Sequence, residues 1–95
     1  MPSYIVLVKL TPRAKQNMPE ALKARDRTWS EFEHHGLKIT PYSTLGRFDS
    51  VLFLESPTEE LVVRFLMAAG ASGNIETETL RAFSEAESQK LRPSS

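Results

Sequence analysis

The chain contains no cysteine. Disulfides, thiolate-bound metals and redox-active cysteine pairs are thereby excluded. It has only four glycines, and none falls in a phosphate-loop spacing. "GASGN", Gly70 to Asn74, reads instead as a helix terminus and connector. An excess of one charge is missing too: 12 Lys and Arg stand against 12 Asp and Glu, without the basic surplus of a nucleic-acid binder. No apolar run is long enough to span a membrane, and the opening "MPSYIVLVKL" lacks the charged start of a signal peptide. The expected location is therefore the cytoplasm, with neither nucleic acid nor membrane as partner. His34 and His35 are adjacent, so on a helix they point about 100° apart and cannot face one metal. Near a helix end they complement its dipole. No serine–histidine constellation is visible, and no metal or cofactor is expected.

What is present is enough for one domain. A chain of 95 residues buries roughly 60–65% of the surface it exposes unfolded. Without covalent staples, such a chain gains from oligomerising. The domain is expected over residues 1–90, with "LRPSS", 91–95, as a disordered tail.

"YIVLVKL", Tyr4 to Leu10, is a nearly unbroken apolar, β-branched run and reads as a buried strand. Thr11 and Pro12 offer an N-cap and a first helical position, giving a short helical turn through Asn17. A longer helix restarts at Pro19 and runs to about His35, with Met18, Leu22, Arg25, Trp29 and Phe32 on one stripe. Gly36 supplies the stop. Leu37 to Leu45 is a second strand, which Pro41 marks as an edge or a bulge. Phe48 to Glu55 is a third. Ser56-Pro57-Thr58 opens a second helix carrying Leu61, Val62, Phe65, Leu66 and Ala69. Asn74 to Phe83 is a fourth strand, and "SEAESQK" a last helical turn. This order, βαββαβ, is the α+β, ferredoxin-like arrangement of an antiparallel sheet with two helices on one face.

A sheet with one wet face alternates apolar and polar residues cleanly. The first and third strands do not: Ile5 and Leu7 lie opposite Tyr4, Val6 and Val8, and Val51 and Phe53 opposite Leu52 and Leu54. Two helices cover one face, and no spare segment is large enough for the other. A second copy packed face to face is the expected cover, making a homodimer.

Three stretches carry a family resemblance. "GRFD", Gly46 to Asp49, before an apolar strand, "GNIETETLRAF", Gly73 to Phe83, and the opening "YIVLVKLTP" together resemble the GYD-domain family of small bacterial proteins. The likeness covers nearly the whole chain apart from the tail. It implies membership of the dimeric α/β-barrel superfamily, whose members include cofactor-free monooxygenases, haem-degrading enzymes, isomerases and ligand-sensing regulatory domains. A haem-degrading relative would need His34 or His35 as an axial ligand. Phe48 replaces the tyrosine of the namesake motif, and Ala14 stands where relatives carry glycine.

Gly46 and Arg47 as a two-residue loop fit a type II′ hairpin, with Leu45 opposite Phe48, Thr44 opposite Asp49 and Tyr42 opposite Val51. One face then gathers Ile39, Leu45, Phe48, Leu52 and Leu54 as core. The other gathers Thr40, Tyr42, Thr44, Asp49, Val51 and Phe53, a surface suited to a ligand or to a dimer contact. Asp49 is the candidate catalytic residue, a general base once desolvated. The competing role for it is to pair with Arg47 or to bond Thr44. Arg47 and Arg25 are candidate anion holders, although a turn arginine such as Arg47 is often merely solvated and Arg25 can stack on Trp29. Tyr42, Phe53 and Trp29 complete the candidate binding set. Glu78, on one strand face with Glu76, is a candidate acid–base group, or an edge charge that blocks sheet-to-sheet pairing.

The expected function is binding of a small apolar organic molecule between sheet and helices, with cofactor-free oxygenase or isomerase-type chemistry as its catalytic form. The alternative is a non-catalytic ligand-sensing or protein-interaction dimer module.

Overall fold

The computed structural model describes residues 1–93. Its elements are β1 (Ser3–Leu10), α1 (Pro12–Gln16), α2 (Met18–His34), β2 (Lys38–Ser43), β3 (Ser50–Glu55), α3 (Glu59–Ala71), β4 (Ile75–Ala82) and α4 (Glu85–Leu91). The four strands form one sheet in the order β2-β3-β1-β4, and every neighbouring pair is antiparallel. The ferredoxin-like α+β arrangement follows from that order. Pro41 sits on β2, an edge strand, where a missing N–H costs no ladder bond.

Local chemistry explains the element ends. The Thr11 hydroxyl accepts from Ala14 N at 3.2 Å and Pro12 follows it, which opens α1. Thr58 caps α3 in the same way through Leu61 N. After α2 the chain turns back at Gly36, whose φ of 98° is open to glycine and strained for other residues. At α4, Ser84 and Glu87 form a reciprocal capping box. The helix runs through Leu91, one residue into the stretch expected to be tail, and Ser94 and Ser95 lie outside the described residues.

The core lies on one side of the sheet. Tyr4, Val6 and Val8 of β1 and Leu52 and Leu54 of β3 are buried beneath Val62 and Phe65 of α3. Phe32 of α2 meets Phe65 edge-on at 5.5 Å between ring centres. On the opposite side, Ile5, Leu7, Val51 and Phe53 are half-buried without any helix over them, and Tyr42 and Leu80 are exposed.

Two expectations at the hairpin need correction. The register holds, since Tyr42 pairs with Val51, but β2 ends at Ser43 and β3 starts only at Ser50. Leu45, expected in the core, is fully exposed at the loop tip. Phe48 is half-buried outside the core cluster, with the Arg47 guanidinium 4.9 Å from its ring centre. Asp49 is bonded on both sides, its O accepting from Thr44 N at 3.1 Å and its N donating to Val8 O at 2.8 Å, and the loop lies between Thr44 and Asp49.

Candidate functional site

The register sets the floor of a cavity. Ser43, Ser50, Val8 and Thr77 form one row across the four strands on the helix-covered side, and Pro41, Leu52, Val6 and Thr79 form the next. Toward one end of the sheet that face therefore carries the hydroxyls of Ser43, Ser50 and Thr77 beside the apolar core. Above these rows α2 presents Met18, Ala21, Leu22, Arg25 and Trp29, spaced to share one helical stripe. Phe65, Leu66 and Ala69 of α3 close one side. Between roof and floor lies a cavity of ≈ 270 Å³, close to the lower limit of about 300 Å³ for small-molecule sites. Its walls are mainly apolar with a few polar groups, the composition that holds an apolar body and fixes its orientation.

Of the residues singled out from sequence, Arg25, Trp29 and Asp49 line this cavity together, and Tyr42 reaches its edge although its row with Val51 and Leu7 belongs to the uncovered side. Arg25 stacks over Trp29 at 4.6 Å from the ring centre, and its Nε and Nη2 donate to Asp26 Oδ1 at 3.1 and 2.9 Å. Stacking and ion pair both hold it at the cavity margin. The other candidates lie elsewhere. Arg47 is on the exposed hairpin loop, and Phe53 and Glu78 are on the uncovered side of the sheet.

One of the two modest roles considered for Asp49 is met by its backbone, since Thr44 N donates to Asp49 O at 3.1 Å across the hairpin. The side chain forms no ion pair with Arg47, and the Thr44 hydroxyl donates to Phe48 O at 2.6 Å. Its own Oδ2 accepts from Leu10 N at 2.8 Å. Leu10 lies two residues beyond the Val8–Ser50 pair, where β3 has turned away, so the carboxylate stands in for the missing ladder partner. Oδ1 accepts no hydrogen bond among the described residues. Alternation along β3 placed Asp49 with Val51 and Phe53. The bend at Asp49 ends that alternation and brings the residue to the cavity instead.

Sequence reasoning missed the hydroxyl row of Ser43, Ser50 and Thr77. Its signal was Ser50, two residues before the core Leu52 on the same face, with Ser43 and Thr77 in the same row. Also missed was a shallow recess of ≈ 320 Å³ beside the cavity, lined by Arg13, Asn17, Glu20, Arg27, Ser72 and Asn74 among others. It joins residues of α1, α2 and the α3–β4 connector, so no local motif marks it. Among the described residues no group of three or more His, Cys, Asp and Glu side chains is placed to hold a metal ion. His34 and His35 are both exposed at the end of α2. No helix among the described residues is long and apolar enough to cross a membrane.

Comparison with known proteins agrees with this architecture. The crystal structure of TTHA0845 from Thermus thermophilus is similar in fold, with a TM-score of 0.58. The sequences are 23% identical, and the match covers 88% of this chain and 95% of that one. No curated protein matches the chain. The GYD domain family matches residues 4–91. Nearly the whole chain is thus accounted for by one family, and the protein belongs to the GYD-domain family.

Proposed function

We propose that two copies pair through the uncovered sheet face and that each binds a small, largely apolar organic molecule in the cavity beneath α2. The observation that carries the binding reading is the cavity itself. A core of this size is normally filled, yet here Trp29, Leu22 and Phe65 surround open space edged by hydroxyls and by Asp49. The pairing reading rests on Ile5, Leu7, Val51 and Phe53, a contiguous apolar surface with no cover from its own chain. A face-to-face dimer buries it and leaves the cavities on the outer sides of the two sheets.

Asp49 supports a catalytic form of the same reading. With Oδ2 held by Leu10 N, its Oδ1 is free to take a proton from a bound molecule. Cofactor-free oxygenation or isomerisation begins with such a step. The competing reading is a ligand-sensing or interaction module, favoured by the exposed Tyr42 and Leu80 on the uncovered face.

Native mass spectrometry of the protein as purified tests the binding reading. A discrete adduct supports it and provides a molecule for turnover assays; a bare chain, after exposure to a panel of apolar compounds, contradicts it. Asp49→Asn then separates enzyme from sensor. The amide oxygen keeps the Leu10 bond while the charge is lost, so an enzyme loses turnover and a sensor keeps its affinity.

A further inference from the structure

The recess beside the cavity points to a more specific ligand. Ala21 and Ala24 of α2 and Ser72 and Asn74 of the connector line both spaces. The wall between them is thus made of small side chains. Two arginines face the recess, Arg13 from α1 and Arg27 from α2. Neither has a carboxylate within 4.0 Å among the described residues, unlike Arg25, Arg64 and Arg92. Arg13 makes one long bond, from Nη1 to Ser72 O at 3.4 Å, which leaves most of its donors free. The carboxylate on the recess lining, Glu20, sits 3.7 Å from Lys23 Nζ. Positive charge therefore exceeds negative charge at the entrance, although the whole chain is neutral.

We propose that the ligand is an amphiphile, with its apolar body under α2 against Trp29 and an anionic headgroup, carboxylate or phosphate, held by Arg13 and Arg27. This rests on the cavity being a binding site. Arg25, the cation of the inner cavity, is already occupied by Asp26 and Trp29, so the headgroup is assigned to the recess.

Trp29 is the sole tryptophan and lines the cavity, so its fluorescence reports occupancy. Decanoate, decyl phosphate and 1-decanol, titrated separately below their aggregation limits, share one apolar body and differ in the head. At low salt, decanoate or decyl phosphate is expected to bind roughly tenfold or more tightly than 1-decanol, and the better of the two identifies the headgroup. The advantage should shrink in 0.5 M salt and fall to near parity in the Arg13→Gln/Arg27→Gln double variant. Should that variant fail to fold, the salt series on the native chain carries the test alone. Equal affinity for all three, insensitive to salt, overturns the headgroup and leaves the cavity reading intact. No change in Trp29 fluorescence with any of them overturns both.

Discussion

The two sides of this sheet are built from the same strands, yet helices of the chain cover one and not the other. On β1, Val6 is wholly buried beneath the helices, while its neighbours Ile5 and Leu7 are half-buried with no helix above them among the described residues. The helix side is closed by α2 and α3 and retains a cavity. The uncovered side is apolar at its centre, and its outermost strand carries the exposed charges Glu76 and Glu78. Burial beneath the helices specifies the fold. Under the proposed pairing, the apolar surface it leaves unmet is the contact between two copies.

The largest effect should come from breaking the helix side. Phe65→Ala removes a ring with 1% exposure and is expected to cost about 3–5 kcal/mol in urea unfolding, a large part of a small domain's stability. Phe53→Lys probes the other side. It should weaken self-association by roughly thirtyfold or more, measured by sedimentation, while perturbing the fold far less than Phe65→Ala. If Phe53→Lys instead unfolded the chain, the two sides would not be distinct in the way described.

Asp49 lies where the helix side meets the hairpin, and a pair of substitutions sharpens its role. Asp49→Ala strands Leu10 N and should cost about 1–2 kcal/mol. Asp49→Asn retains an acceptor and should cost less than half as much in the same unfolding assay. Equal losses would mean that the charge, and not the Leu10 bond, holds the residue.

The smallest effect belongs to α4, none of whose residues is buried. The Ser84 backbone N–H donates to the Glu87 carboxylate and, with the Ser84 side chain, lowers its pKa, while Glu87 N donates back to Ser84 Oγ. A carboxyl depressed in the folded state stabilises above its unfolded pKa, and that contribution is lost as pH falls through the lower, folded value. The α4 helix signal in NMR should thus hold from neutral pH to about pH 5 and weaken below about pH 4. Glu87→Gln should abolish that acid dependence.

The sequence made the sheet legible because its cues are local or periodic. The β-branched run at Tyr4–Leu10, the cap at Thr11 with Pro12, the α2 stripe from Met18 to Phe32 and the stop at Gly36 all appear in the structure. The hairpin register was equally readable, because the alternation of Thr40–Tyr42 against Val51–Phe53 fixes it. The loop was not. Its Asp49 end is tied to Val8 and Leu10, both far away in sequence, and Leu45 stands in solvent. The candidate site was readable only in part, for the same reason. Arg25 and Trp29 share a helical face and could be paired by spacing. That Asp49 joins them depends on its bonds to Val8 and Leu10 of β1. The Arg13–Arg27 recess depends on the α3–β4 connector approaching α1, where the Thr11 hydroxyl donates to Gly73 O at 2.8 Å, and no periodicity encodes that approach.

The most direct test of the two-sided account is the mass of the native protein in solution, measured by sedimentation equilibrium at micromolar concentration. The account predicts a species of twice the 10.7 kDa chain mass. A single-chain mass persisting to high concentration would contradict it, because Ile5, Leu7, Val51 and Phe53 would then face water with no partner.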